Sequence, residues 1–557
     1  MTSIQVSPVL LTSQRPKDDK KVADNKDINW FKVFAASFNL WAAGITIVIG
    51  GQYFSWNAGL SAGTLSCGIA MLMMGFAYLF MGFCEAEMAS MFPFEGGAFG
   101  LARCTWGFYA GFIVGCCEAL QYIIYVACAF VFFGKMLGAL WPFAADRPYV
   151  IWLLAYALSS VTLILGGNMY WRWNLALALI SIGFVFIYVF GSMPYVDIQQ
   201  FGGGQDYLVV GGFSQFMSAF PLSAWFYVGV ESINRLCSEA YEPRISVPIA
   251  QISCIATLFC TAIMVFFVVI SMDPGMPEVA GALSPLNYGF NRMFNCSDNI
   301  TGWFSIPATF ATGQGFVQSY SKILTCMAGS GLLPAKMYEK HKTLKTPIYA
   351  IVIGSVTSFA LCFVDYYYSL DAILFNTCMF MGSISYTSQC VGYIYLKKNF
   401  RTMERKFMSP LGKAGAVYSI FVWVLLALAV VGFQNDNQES FIAVVVILVI
   451  CSVYYHLYAK YRQKFSEEER MSLFFAHVAN HNNSKRSPQS RKRLSGKLKS
   501  LVKRIASSKV STTSLGPSHS AAVFAHASSW GKKKRSSGTS KNQSYTEVQP
   551  PARRQKK

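Results

Sequence analysis

Paired glycines and isolated carboxylates inside long apolar stretches are the residues of this chain with the most chemical potential. In ITIVIGGQYFSWNAGL, Gly50 and Gly51 stand side by side near the middle of an apolar segment. A glycine pair frees the backbone, and a helix broken there turns unpaired N–H groups and the positive end of a half-helix dipole toward an anionic ligand group. The same pair suits close packing between helices. A second break is predicted in AFPLSAWFYVGVES, where Pro221 and Gly229 flank Trp225. Ionisable residues in such segments are costly and are usually functional or paired. Glu118 lies mid-segment with Gln121 almost one turn later, and Glu231 follows the second break. Two acids near a shared cavity could hold an ammonium or a coupling proton; the bland alternative is an acid hydrogen-bonded to a neighbouring helix. Trp225, Phe226, Tyr227 and Phe316 offer ring faces to an ammonium. The candidate substrate contacts around these breaks and acids are Ile49, Gly50, Gly51, Gln52, Glu118, Gln121, Ser223, Ala224, Trp225 and Phe316, with Glu231 and Glu118 as candidates for coupling.

The elements that must position these residues are membrane helices. Of 557 residues, 54% are hydrophobic and 13% charged, against about 25% charged in an ordinary soluble domain. A bilayer core of roughly 30 Å takes about 20 apolar residues in a helix. Runs of that scale fall near 32–60, 64–90, 107–139, 149–166, 173–193, 212–234, 247–272, 302–327, 347–365, 370–396, 414–434 and 439–459, which predicts an all-α membrane protein of about twelve transmembrane helices. The two expected breaks fall in the first and sixth spans, the spacing of two five-helix repeats of opposite topology.

Charge sets the expected orientation. With the N-terminus cytoplasmic, the inward loops hold Arg103, Arg172, Arg235, Arg244, Lys336, Lys340, Lys397, Lys398 and Arg401, among others, while the outward side holds Lys135, Arg147 and Arg292 and gathers acids such as Asp197, Asp273, Asp365 and Asp371. Both termini are expected to be cytoplasmic and the protein to sit in the plasma membrane. The sequons at Asn295 and Asn299 then lie outside, where glycosylation could reach them. Three regions follow: an N-terminal segment 1–30, a transmembrane domain 31–460, and a basic, disordered tail 461–557.

That tail explains the net charge of +20, since it holds 22 Lys and Arg against 4 Asp and Glu and leaves the rest nearly neutral. A basic tail beyond the last span suits an anionic membrane leaflet better than nucleic acid, and Arg491 to Ile505 could lie on that leaflet as a basic amphipathic helix. The 15 cysteines fall mostly in apolar runs and form no disulfide framework. A channel would show a repeated ring of like residues, and a membrane enzyme a clustered nucleophile or metal set; neither pattern is present, and the six histidines lie in loops, at span ends or in the tail.

Several ordered motifs resemble the amino acid, polyamine and organocation permeases. Tyr53, Phe54, Trp56 and Asn57 match the first-span pattern of the ethanolamine-permease branch. Glu87, Pro93, Gly96 and Gly97 resemble the segment after the second span of these permeases. Trp225 with Gly229-Val230-Glu231-Ser232 resembles arginine/agmatine antiporters, and Glu239, Pro243, Pro248, Gly331 and Pro334 continue the pattern. The resemblance covers roughly 30–460. It implies ten core helices in two inverted repeats of the LeuT-like kind plus two more, alternating access around a central site, Gly50 and Gly51 at the polar head of the substrate, Trp225 as gate and Glu231 in coupling. It implies no cofactor; the expected partners are a small amine or amino acid, the lipid bilayer, and a coupling H+ or Na+. Gly50 replaces the usual Ser, Gln52 replaces the Asp of the ethanolamine branch, and Ser181 lies near the place of the fifth-span lysine that some proton-coupled relatives use, so coupling through that lysine is excluded. The expected function is secondary active transport of amino acids or related amines; an ethanolamine or polyamine permease and a non-transporting nutrient sensor are the alternatives.

Overall fold

The computed structural model describes residues 28–93, 95–401, 403–466 and 469–470, all within the unit Met1–Ser484. The predicted amphipathic helix at 491–505 and the tail sequons at Asn482 and Asn542 lie outside them.

The described residues are helical, with no strand among them. Nine of their helices are long and apolar enough to cross a membrane: Trp30–Gln52, Thr64–Met91, Phe108–Leu140, Pro148–Leu165, Gly167–Tyr195, Pro243–Val269, Ile348–Tyr368, Gly412–Gly432 and Glu439–Arg462. Prolines at the first turns of Pro148–Leu165 and Pro243–Val269 start helices where no N–H partner is needed. Pro148–Leu165 shows what surrounds the bundle. Its exposed face is Leu153, Leu154, Leu158, Val161 and Leu165, while Ser159 and Thr162 are buried. A water-soluble helix has the opposite arrangement; this one is built for hydrocarbon.

The segments predicted as spans six, eight and ten are helical too but stand apart. The eighth, Ile306–Gly329, buries Thr309, Thr312, Gln314, Gln318, Ser319, Ser321 and Thr325. The tenth, Asp371–Asn399, buries Asn376, Thr377, Ser383, Ser385, Ser388 and Gln389. The sixth is short pieces: an α-helix Gly212–Ala219 followed by 3-10 turns Phe220–Phe226 and Val230–Glu239. Their polar side chains face other helices rather than lipid, where each finds a hydrogen-bond partner more readily.

Residues 463–466, 469 and 470, counted with the tail by composition, turn back onto the bundle. The Lys464 N–H donates to the Ser330 carbonyl (2.9 Å), and the Phe465 ring sits 4.7 Å from that of Phe108.

Candidate functional site

Both predicted breaks are present. The first helix runs Trp30–Val48, tightens into a 3-10 turn Ile49–Gln52, and resumes as Trp56–Ala62 after Ser55, whose φ is 69°. In the sixth span the backbone turns at Gly229, with φ 102°, a left-handed conformation that costs most side chains roughly 1–2 kcal/mol. The breaks interlock. A Cβ on Gly51 would run into the Trp225 carbonyl, and one on Gly229 would press on Ile47 and Phe316. Glycine at 51 lets two backbones meet, and glycine at 229 permits the left-handed turn against the Ile47 and Phe316 side chains. The expected free N–H groups are only partly there: Gly50 donates to Thr312 Oγ1 (2.8 Å), whose own hydroxyl donates to the Thr46 carbonyl (3.2 Å). Gln52 is also tied down, its Nε2 donating to the Leu258 carbonyl (3.1 Å).

Glu231, just past the second break, is buried and bonded from three directions. Its Oε1 accepts from the Tyr122 hydroxyl (3.0 Å) and the Tyr386 hydroxyl (3.1 Å), and its Oε2 from the Gly229 N–H (3.1 Å). Gln121 joins from the third span by donating Nε2 to the Tyr386 hydroxyl (2.5 Å). One carboxylate thus ties spans three, six and ten together.

Glu118 has a different partner from the one expected. It is ion-paired with Arg235, and both side chains are buried. Arg235 therefore does not belong to an inward loop, where charge counting placed it; the 3-10 turn Val230–Glu239 carries it into the bundle. The glycine pair after the second span makes the room, since a Cβ on Gly97 would sit 3.1 Å from the Arg235 guanidinium. Arg235 pairs with Oε1 and offsets the charge of Glu118, while Oε2 has no hydrogen-bond partner among the described residues.

Two further charged residues within predicted spans went unremarked in the sequence, although the reasoning that singled out Glu118 applies to them. Glu85 is buried, its Oε2 accepting from Gln251 Nε2 (2.9 Å) and Asn234 Nδ2 (3.2 Å). Lys322, in the eighth span, pairs with Glu239 and lies 3.7 Å from Glu95.

The open space lies elsewhere. A cavity of about 520 Å³ is walled by Ser55, Asn57 and Ala58 of the first span, Ala127, Val131 and Phe132 of the third, Leu222 and Trp225 of the sixth, the loop 280–283, and Asp365, Asp371 and Phe375. Trp225 is the one candidate contact in that wall, stacked face to face on Phe375 at 4.8 Å and 7°. Inward from it the rings run to Tyr125 (6.1 Å), then Phe316 (5.0 Å), then Tyr122 (5.9 Å), which reaches Glu231. Ile49, Gly50, Gly51, Gln52, Glu118, Gln121, Ser223, Ala224 and Phe316 are all buried around the two breaks. None of them lines the 520 Å³ cavity; they form a buried core behind Trp225, in which Gln52 Oε1, Glu118 Oε2, Gln121 Oε1 and Ser223 Oγ have no hydrogen-bond partner among the described residues. Asn295 and Asn299 are exposed.

The family described as Amino acid permease matches residues 28–451. The chain is similar to a methylthioribose transporter of Bacillus subtilis, 22% identical over 76% of this chain and 93% of that protein. It is similar to a branched-chain amino acid permease of Lactococcus lactis, 24% identical over 52% of this chain and 68% of that one. A dicarboxylic amino acid permease of Saccharomyces cerevisiae is 24% identical over 75% of each chain. Long apolar helices, interlocked breaks and a family match across most of the described bundle lead to one assignment: this chain belongs to the amino acid permease family and is a multi-pass integral membrane protein.

Proposed function

We propose that the chain is a secondary active transporter of amino acids or related small amines that works by alternating access across the plasma membrane, with twelve spans, both termini cytoplasmic, and its first ten helices in two inverted repeats. The observation that carries this reading is the pair of broken helices in spans one and six, held in backbone contact where Gly51 meets the Trp225 carbonyl. Two half-helices that meet without side chains between them can rock against each other around a fixed point. Trp225 closes the cavity from the glycine pair, so its ring must move before a substrate carboxylate can reach Gly50 and Gly51. Glu231 is the candidate coupling group. Its bonds to Tyr122 and Tyr386 link the third and tenth spans, so proton gain or loss there would loosen or tighten the core as a unit. The names of similar proteins span branched-chain and dicarboxylic amino acids and a thiosugar, so substrate choice must rest on side chains peculiar to each.

The test is uptake into proteoliposomes of labelled amino acids, ethanolamine and polyamines, with and without a pH gradient. Accumulation of at least one amino acid is expected; binding without uptake of any compound would favour a sensor. In the Glu231→Gln variant, counterflow exchange should persist while the pH dependence of net uptake flattens. A profile unchanged at Glu231→Gln but flattened at Glu118→Gln would move coupling to the third span.

A further inference from the structure

The wall of the 520 Å³ cavity is apolar except at Ser55, Asn57, Lys135, Asp365 and Asp371. Asn57 donates Nδ2 to the carbonyls of Val279 (2.9 Å) and Ala282 (2.8 Å), while its Oδ1 and the Ser55 hydroxyl, both neutral, have no partner among the described residues. Lys135, Asp365 and Asp371 stand together, lining both this cavity and its neighbour. Lys135 and Asp371 pair at 3.2 Å, each about half exposed, and the remaining Asp371 oxygen accepts from the Ala372 N–H (2.9 Å). Asp365 is left over. It is only 6% exposed, and its Oδ1 has no hydrogen-bond partner among the described residues. Asp365 also lines a second cavity of about 390 Å³, which shares Val131, Lys135 and Asp371 with the first.

A buried carboxylate oxygen without a partner is rare and costly, and the cost is relieved by a donor that arrives from outside. With Lys135 and Asp371 cancelling, that part of the cavity carries one net negative charge. The rest of the wall, Val131, Leu222, Leu374 and the stacked Trp225 and Phe375, suits an alkyl chain. A bare metal ion would need several oxygens converging at one point, whereas Lys135 stands beside the only uncommitted carboxylate in this wall, and a cavity of this volume is of small-organic-ligand size.

We propose that the Asp365 end of the cavity is a subsite for an organic cation, an ammonium or guanidinium on a short apolar stem. It favours basic amino acids and diamines over dicarboxylic amino acids. The proposal deepens the transporter reading and rests on it only for the consequence in uptake; binding itself is tested without transport.

Agmatine, lysine, leucine and glutamate are titrated calorimetrically against the purified full chain in lipid nanodiscs, with Asp365→Asn and Lys135→Gln alongside. Agmatine and lysine should bind the parent chain more tightly than glutamate. Asp365→Asn should weaken both by roughly tenfold, the loss of one charge-assisted contact, and leave leucine unaffected. Lys135→Gln should strengthen both, because it removes the competing cation. That opposite sign separates a ligand site from a packing role and remains readable if Asp365→Asn does not fold. Equal affinity of agmatine for the parent chain and Asp365→Asn, or no binding of either cation to the parent chain, overturns the subsite. Uptake measured in parallel distinguishes the two failures: transport of leucine with no effect at Asp365 removes the subsite and leaves the transporter reading standing.

Discussion

The helix Phe108–Leu140 reaches from Lys135 beside the cavity to Phe108 beside the returning C-terminal segment, and the chemistry at its two ends differs. The cavity end is held mainly by neutral contacts, Asn57 bonded to loop carbonyls and Trp225 stacked on Phe375, with one half-exposed ion pair, Lys135–Asp371. The opposite end is held by ions. Lys322 joins Glu239 and Glu95, Lys397 and Arg405 clasp Glu87 at 2.9 and 3.0 Å, and Arg103 meets Glu469 at 3.2 Å with both side chains buried. Ring stacks slide at low cost, whereas ion pairs have few good geometries and must be exchanged as a set. The comparison teaches that the end with the cavity can adapt to a ligand while the ion-paired end must switch, and each prediction below strains one side of it.

The largest effect is expected where both ends pivot. Gly51→Leu puts a branched side chain against the Trp225 carbonyl, and neither backbone can yield without separating the breaks. Uptake should vanish while surface biotinylation still detects the protein. Normal uptake would mean that the contact does not take part in motion.

Next comes the buried pair Glu118–Arg235. Glu118→Gln leaves a guanidinium uncompensated inside the bundle, a loss of about 3–5 kcal/mol, so the thermal midpoint of the purified protein should fall sharply. The double variant Glu118→Leu, Arg235→Met should recover most of it, since no charge is then stranded. A single variant as stable as the parent chain would remove this pair from the framework.

A smaller shift is expected at the ion-paired end. Lys322→Met frees Glu239 and Glu95 from a partly exposed bridge, of roughly 0.5–1 kcal/mol, and should favour opening there. An Ala282→Cys probe in the cavity wall, read over the labelling of the parent chain, should then lose reactivity by about two- to fivefold. Unchanged or greater reactivity would show that the two ends are not coupled.

The smallest effect concerns the returning segment. Burial pushes the Glu469 carboxyl up, with Arg103 and hydrogen bonds from Ser466 and Ser330 only partly offsetting it. A carboxyl held above its free value binds protons more tightly when docked, so docking strengthens as pH falls. The gain is complete below the free carboxyl value, about 4.3, and is lost as pH rises through the docked one. Amide exchange at 463–466, 469 and 470, corrected for its intrinsic pH dependence, should slow as pH falls toward the free carboxyl value, and Glu469→Gln should abolish the change.

Much of this arrangement was legible in one chain. Gly50-Gly51 and Pro221…Gly229 announce breaks because glycine and proline act on their own backbone, and Glu231 stands out because a carboxylate amid apolar residues needs a reason. The partners were not legible. Nothing local to Arg235 says that a 3-10 turn will carry it to Glu118, nor that Tyr122 and Tyr386, far apart in sequence, will both donate to Glu231. Glu85 and Lys322 could have been found by the rule that flagged Glu118, since each interrupts an apolar run.

The sequence alone determined the solvent and the class. Composition, run length and paired glycines depend on each residue's own transfer energy and backbone freedom, and these place the chain in a bilayer with two broken helices. Only the tertiary structure decided which groups remain available. It tied Gly50, the Gln52 amide nitrogen and Glu231 to the protein's own groups, paired Glu118 with Arg235, and left Asp365 in the wall of a cavity. Hydrogen-bond and ion-pair satisfaction depends on distances between segments remote in the chain, and those distances exist only after the helices have packed.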